Sequence, residues 1–138
     1  MALYELIYIS KASENFQEED LVKMLNQART ANLEHEITGL LAYKNQEFLQ
    51  VIEGKKNKIQ RLFDNINNDE RHRNVKVIWE ESIAYRSFAN WQMGFINLQS
   101  TIVPEGYSQF LEIGFQVDSL TGSNSVAKDL MIRLSKTL

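Results

Sequence analysis

The 138-residue chain contains no cysteine, one proline and two histidines. Without cysteine there are no disulfides, thiolate nucleophiles, Cys-ligated zinc sites or iron–sulfur clusters. His35 and His72 lie far apart in the sequence, which argues against a histidine-rich metal site. No apolar run approaches the ~20 residues of a membrane helix. The opening stretch MALYELIYIS reads directly as a strand and carries neither the basic region nor the cleavage site of a secretory signal. A cytoplasmic chain without a membrane partner is therefore expected. The net charge of −3 lacks the basic excess that drives binding to nucleic-acid phosphates. What is present is a globular composition, 43% hydrophobic and 24% charged, which excludes a disordered chain. The length suits one domain with a real core and one small-molecule pocket.

With Pro104 and six glycines as the main punctuation, no repeat emerges. Leu3–Ser10 alternates as a strand, with Leu3, Glu5, Ile7 and Ile9 on one face and Tyr4, Leu6, Tyr8 and Ser10 on the other. Asn15 and Glu18 have capping-box spacing for a helix running to about Asn32, with Leu21, Leu25 and Ala28 in its apolar stripe. Ile37–Tyr43 and Glu47–Glu53 read as strands joined by a polar turn at Lys44–Gln46. A second helix follows Gly54, with Ile59, Leu62, Phe63 and Ile66 facing inward. Val75–Ile83 and Trp91–Ile96 read as the last strands. The order β-α-β-β-α-β-β predicts an α+β, ferredoxin-like domain with two helices on one face of a sheet and a groove between them. After Pro104, Gly106–Phe115 and Val126–Leu138 look helical. The expected division is a core over residues 1–97 and a helical extension over 98–138 that docks on it.

Three polar residues interrupt apolar faces. Asn32 continues the stripe of the first helix, Gln50 lies between Phe48 and Ile52, and Tyr8 shares a face with Leu6. An unpartnered buried amide costs about 1–3 kcal/mol, so each needs a partner. Taken singly, Asn32 can cap the helix end, Gln50 can bond a backbone group, and Tyr8 can be a core tyrosine. Jointly they suit a planar ligand edged with donors and acceptors, because the first and third strands are neighbours in a ferredoxin-like sheet. Arg71-His72-Arg73 reads either as a solvated helix end or as a phosphate clamp at the mouth of the groove. Trp91, Met93 and Phe95 are expected on one face of the fifth strand, as core.

The strings LIYIS with Tyr8, ITGLLAY at Ile37–Tyr43, FLQVIEG with Gln50, DERHRNV at Asp69–Val75 and NWQMGF at Asn90–Phe95 resemble the BLUF family of blue-light sensors using FAD. They cover about residues 3–96, and the extension resembles that of short stand-alone members. The resemblance implies FAD between the two helices. It makes Tyr8 the photo-oxidised donor, Gln50 the hydrogen-bond switch, and Asn32 the anchor of the flavin's pyrimidine edge. It links Trp91 and Met93 to signalling, places Ile66 and Phe48 near the ring, and puts Arg71, His72 and Arg29 near the ribityl and phosphate groups. Ala28 and Ala31 depart from the family pattern beside the asparagine.

The implied activity is that of a receptor and not an enzyme. The absence of cysteine excludes photochemistry through a cysteinyl–flavin adduct. The expected partners are FAD, a second copy in a homo-oligomer, and an unidentified downstream signalling protein. Two other classes remain open: a flavin-dependent oxidoreductase, and a flavin-free ferredoxin-like ligand-binding module.

Overall fold

The computed structural model describes residues 2–98 and 126–136. Eight elements follow in order: β1 (Leu3–Ala12), α1 (Glu18–His35), β2 (Thr38–Lys44), β3 (Glu47–Lys55), α2 (Lys56–Asn67), β4 (His72–Ile83), β5 (Gly94–Asn97) and α3 (Val126–Ser135). The strands form one sheet in the order β4-β1-β3-β2-β5. Its first four strands pair antiparallel as expected of the ferredoxin-like order, and β5 adds to β2 in parallel.

Local chemistry explains most boundaries. The capping box of α1 is formed by Gln17 and Asp20 and not by Asn15 and Glu18, with the Gln17 backbone N–H donating to Asp20 Oδ2 at 2.8 Å. Helix α1 ends at Glu36 in the left-handed conformation, whose N–H returns to the helix carbonyls. Asn45 and Gln46 both have positive φ, as a two-residue primed hairpin turn between β2 and β3 requires. Strand β4 begins at His72, earlier than the alternation at Val75 indicates. Asn74 adopts positive φ where its pairing with β1 slips register, so a bulge hides the first residues from a period-two reading. Gly39 in β2 has no alternative, because a Cβ there would meet the Val51 carbonyl oxygen at 2.1 Å.

Both faces of the sheet are covered. On one, Leu6, Tyr8, Leu41, Phe48 and Ile52 pack under α1 and α2 through Leu21, Leu25 and Ile59. On the other, Ile7, Leu40, Leu49 and Val51 pack against Leu130, Met131 and Leu134 of α3. Two carboxylates interrupt this second face as a cross-strand pair, Glu5 on β1 and Glu53 on β3. Glu53 is satisfied by Thr38 Oγ1 and by the N–H groups of Ser87 and Phe88, which pins the chain after β4. Glu5 Oε2 accepts from Trp79 Nε1 and from Lys128 Nζ of α3, whereas Glu5 Oε1 is buried without a partner among the described residues. The expected helix at Gly106–Phe115 lies outside the described residues.

Trp91–Ile96 departs from the expected strand. Regular pairing starts only at Gly94, and the backbone at Trp91–Met93 is irregular. Trp91, Met93 and Phe95 consequently do not share one face. Met93 and Phe95 pack on the α1/α2 side, whereas Trp91 packs against the opposite cluster.

Candidate functional site

A groove of about 200 Å³ lies between α1 and α2, with the sheet as its floor. Its walls are apolar: Leu25 and Ala28 come from α1, and Leu62 and Ile66 from α2. The small side chains of Ala28 and Ala31 leave room along the α1 wall. Tyr8, Gln50 and Asn32 all line it, although each is almost fully buried.

Tyr8 and Gln50 are paired residues of neighbouring antiparallel strands. The Tyr8 hydroxyl donates to Gln50 Oε1, and Gln50 Nε2 donates to Met93 Sδ at 3.1 Å. The amide thus joins a phenol on one side to a thioether on the other. Burial, with a smaller contribution from the Asp69 charge, holds the Tyr8 hydroxyl well above the usual phenol range, so it keeps its proton. Asn32 reaches the same place from α1, and its Nδ2 donates to the Gln92 carbonyl at 2.6 Å.

The mouth is built by Arg71, Asp69, Gln27 and His72. Arg71 Nη2 lies 2.7 Å from Asp69 Oδ2, and Arg71 Nη1 donates to Gln27 Oε1 of α1 at 3.0 Å. Burial opposes the Asp69 charge, but the hydrogen bonds and charge of Arg71 outweigh it and hold this carboxyl below its usual range. His72 contributes no charge near neutral pH: burial pushes its pKa down to about 4. Its Nδ1 meets Ser10 Oγ at 2.9 Å, and its ring stands edge-on to Tyr8 with centroids 6.1 Å apart. The basic run at Arg71–Arg73 therefore offers one part-neutralised cation at this mouth, because Arg73 turns away toward the Ala12 carbonyl.

Three expected residues stand elsewhere. Phe48 is fully buried on the same sheet face but outside the groove lining, and packs on His72, Phe16 and Tyr43. Arg29 lies outside the groove; its Nε donates to the Met93 carbonyl at 3.0 Å, and it borders a second, open groove with Trp91 and Leu33. Trp91 likewise does not line the first groove. Asn65, Asp69 and Gln27 do line it without having been singled out. Asp69 sits within the DERHRNV string, and its spacing of two from Arg71 was the available signal.

The residues fit a flavin by donor chemistry. Two amides and a phenol suit a planar ring edged with carbonyl and N–H groups, and the apolar helix walls suit its faces. The groove is smaller than the roughly 300–1,000 Å³ of typical ligand sites.

The chain is similar to known proteins over most of its length. Residues 3–94 match the sequence profile of the family described as BLUF, sensors of blue-light using FAD. The photoactivated adenylate cyclase subunit beta of Euglena longa is 34% identical over 92 residues, which make up 66% of this chain and 11% of that protein. The chain thus spans about a tenth of the length of that curated relative. A solved structure described as the BlsA photo-activated state superposes with a TM-score of 0.80 at 30% identity, covering 96% of this chain and 94% of that one. The dark-state structure of BlrB, described as a BLUF protein, superposes with a TM-score of 0.77 at 25% identity, covering 99% and 98%.

Proposed function

The chain belongs to the BLUF family of flavin-binding blue-light sensors, and from that premise we propose a photoreceptor that binds FAD noncovalently, with Tyr8 as donor and Gln50 as switch. The observation that carries this reading is the buried Tyr8–Gln50–Met93 chain of hydrogen bonds along the floor of the groove.

A bound flavin supplies the blue-absorbing chromophore and, once excited, a strong oxidant. The residues supply the rest. Tyr8 carries its proton at rest, so loss of an electron from the phenol releases a proton toward Gln50, whose Oε1 already accepts that hydrogen. An amide is both donor and acceptor, so Gln50 can relay the proton and be left rearranged, by rotation or tautomerisation, when electron and proton return. In the rearranged state the amide would donate more strongly to a carbonyl of the bound flavin. One altered hydrogen bond is worth about 0.5–1.5 kcal/mol net, so the signal needs an element close to balance. Met93 is the residue placed to feel that change first, because its sulfur accepts from Gln50 directly.

Asn32 anchors the polar edge of the ring and Ile66 packs on its face. Arg71 is the cation available to the phosphates, supported from α1 by Gln27. His72 acts as a neutral edge beside Tyr8. Phe48 supports the site from the side by packing on His72, and Trp91 takes part through the backbone it shares with Met93. The light state is read through protein contacts, by a downstream signalling protein or a second copy of the chain. Its location is cytoplasmic, and among the described residues no helix is long and apolar enough to cross a membrane.

An oxidoreductase is the weaker reading on chemical grounds. Among the titratable groups lining the groove, Tyr8 stays protonated, His72 stays neutral, and Asp69 is committed to Arg71. None is poised for acid–base work near neutral pH. The purified full chain should be yellow, release FAD on denaturation, and shift its absorption reversibly to longer wavelength in blue light. A yellow protein that bleaches with a reductant and substrate but ignores light would sink the receptor reading. Extraction of FMN in place of FAD would overturn the assignment of Arg71 to a dinucleotide tail.

A further inference from the structure

The stretch Trp91–Met93 has no regular structure, yet each of its three carbonyl oxygens is held by a different group. Gly39 N–H donates to the Trp91 oxygen at 2.9 Å, Asn32 Nδ2 to the Gln92 oxygen at 2.6 Å, and Arg29 Nε to the Met93 oxygen at 3.0 Å. These holds differ in what can alter them. The first comes from the backbone of β2. The second comes from a side chain inside the flavin groove. The third comes from a residue that lines only the outer groove, yet it grips the residue whose sulfur holds Gln50.

Asn32 and Arg29 are three apart on α1, so one helix face supplies both side-chain holds. Arg29 is otherwise exposed and borders the outer groove together with Thr30, Leu33 and Trp91. Its stem spans from that surface to a carbonyl one residue's width from the photoactive amide. A charged donor to a carbonyl is among the stronger hydrogen bonds available there.

We propose that Arg29 is a positioning residue: by holding the Met93 carbonyl it keeps the Met93 sulfur inward against Gln50, and it thereby sets how fast the site returns to its resting arrangement after light. This assignment rests on the photoreceptor reading. It replaces the phosphate-binding role expected for Arg29 with one that acts through Met93.

Two substitutions in the full chain separate the hydrogen bond from charge and bulk. Arg29→Gln keeps an N–H donor at the same distance along the side chain as Nε and removes the charge. Arg29→Met keeps the stem and removes the donor. In the flavin-free protein, amide exchange over residues 91–95 should quicken in Arg29→Met and match the parent in Arg29→Gln. In the flavin-loaded protein after a blue pulse, dark recovery should slow about tenfold in Arg29→Met, equivalent to about 1.4 kcal/mol of barrier. Arg29→Gln should recover within about twofold of the parent, a difference of about 0.4 kcal/mol. Recovery that is unchanged or faster in Arg29→Met overturns the proposal, and so do equal effects of both substitutions. A parent chain that binds flavin without responding to light sinks the photoreceptor reading instead. The exchange measurement then still decides whether Arg29 holds the segment.

Discussion

Tyr8 and Gln50 stand directly opposite each other in the antiparallel register of β1 and β3, and the Tyr8 hydroxyl donates to the Gln50 amide oxygen. Side chains at directly opposed positions lie close on the same sheet face. The pair is thus fixed by strand pairing and not by loop geometry. A site on rigid strands suits a device that must reset to the same arrangement after each event.

Tyr8→Phe and Gln50→Leu should each abolish the light-induced shift to longer wavelength while the protein still retains flavin. The first removes the transferable proton, and the second removes the amide that relays it. Absorption difference spectra in darkness and under blue light give the answer. A normal photocycle in Gln50→Leu would refute the switch assignment.

Asn32→Ala should weaken flavin binding by about 1–3 kcal/mol, because it leaves a ring edge and the Gln92 carbonyl without their donor. Titration of the flavin-free chain by fluorescence quenching measures this. Unchanged affinity and an unchanged spectrum would remove Asn32 from the pocket.

Arg71→Ala should lower affinity for FAD about tenfold, the order of one charge-assisted hydrogen bond. Riboflavin, which has no phosphate, should lose much less. Asp69→Asn should act in the opposite sense on FAD by freeing Arg71 from its present partner. Equal losses of FAD and riboflavin in Arg71→Ala would leave the cluster as a solvated structural feature.

His72 makes stability depend on pH in a defined window. Its folded pKa, about 4, lies below the ordinary 6.5, so between these values the unfolded chain takes up a proton that the folded chain refuses. Stability should therefore fall as pH drops from about 6.5 to 4, by up to roughly 3 kcal/mol from this group. Asp69, held below its ordinary 3.8, loses its contribution only at lower pH. Urea unfolding of the flavin-free protein across this window should show a smaller slope in His72→Gln. An equal slope would mean that the ring is not desolvated.

Lys128→Met should destabilise the chain by about 3 kcal/mol, since it leaves the buried Glu5 carboxylate without its cation. Stopping the chain before Pro104 should act more broadly. It removes α3, whose Leu130, Met131 and Leu134 are fully buried on the second sheet face. The exposed face should then alter association, read by size-exclusion chromatography in darkness and blue light, while the flavin response persists. Identical elution of full and shortened chains would detach the extension from assembly. A full-length chain that stays monomeric in both conditions would eliminate the homo-oligomer.

Much of this arrangement is legible one residue at a time. Alternation in Leu3–Ser10 sends Tyr8 to the helix-covered side, the helical spacing from Leu21 to Asn32 sends an amide to the same side, and the split βαβ order makes β1 and β3 neighbours. These are consequences of fixed backbone periods, 2.0 in strands and 3.6 in helices, which are properties of the local chain.

Other features arise only when distant segments meet. The irregular backbone of Trp91–Met93 meets donors from Gly39, Asn32 and Arg29, and it breaks the alternation that would have put Trp91 beside Met93. His72 looks like part of a cationic run until burial between Tyr8 and Phe48 makes it neutral. Glu5 looks like a charged intruder until Trp79 and Lys128 close over it. In each case the deciding quantity is desolvation or a hydrogen-bond partner supplied from across the fold. Such quantities have no period along the chain, which is why they belong to the tertiary structure alone.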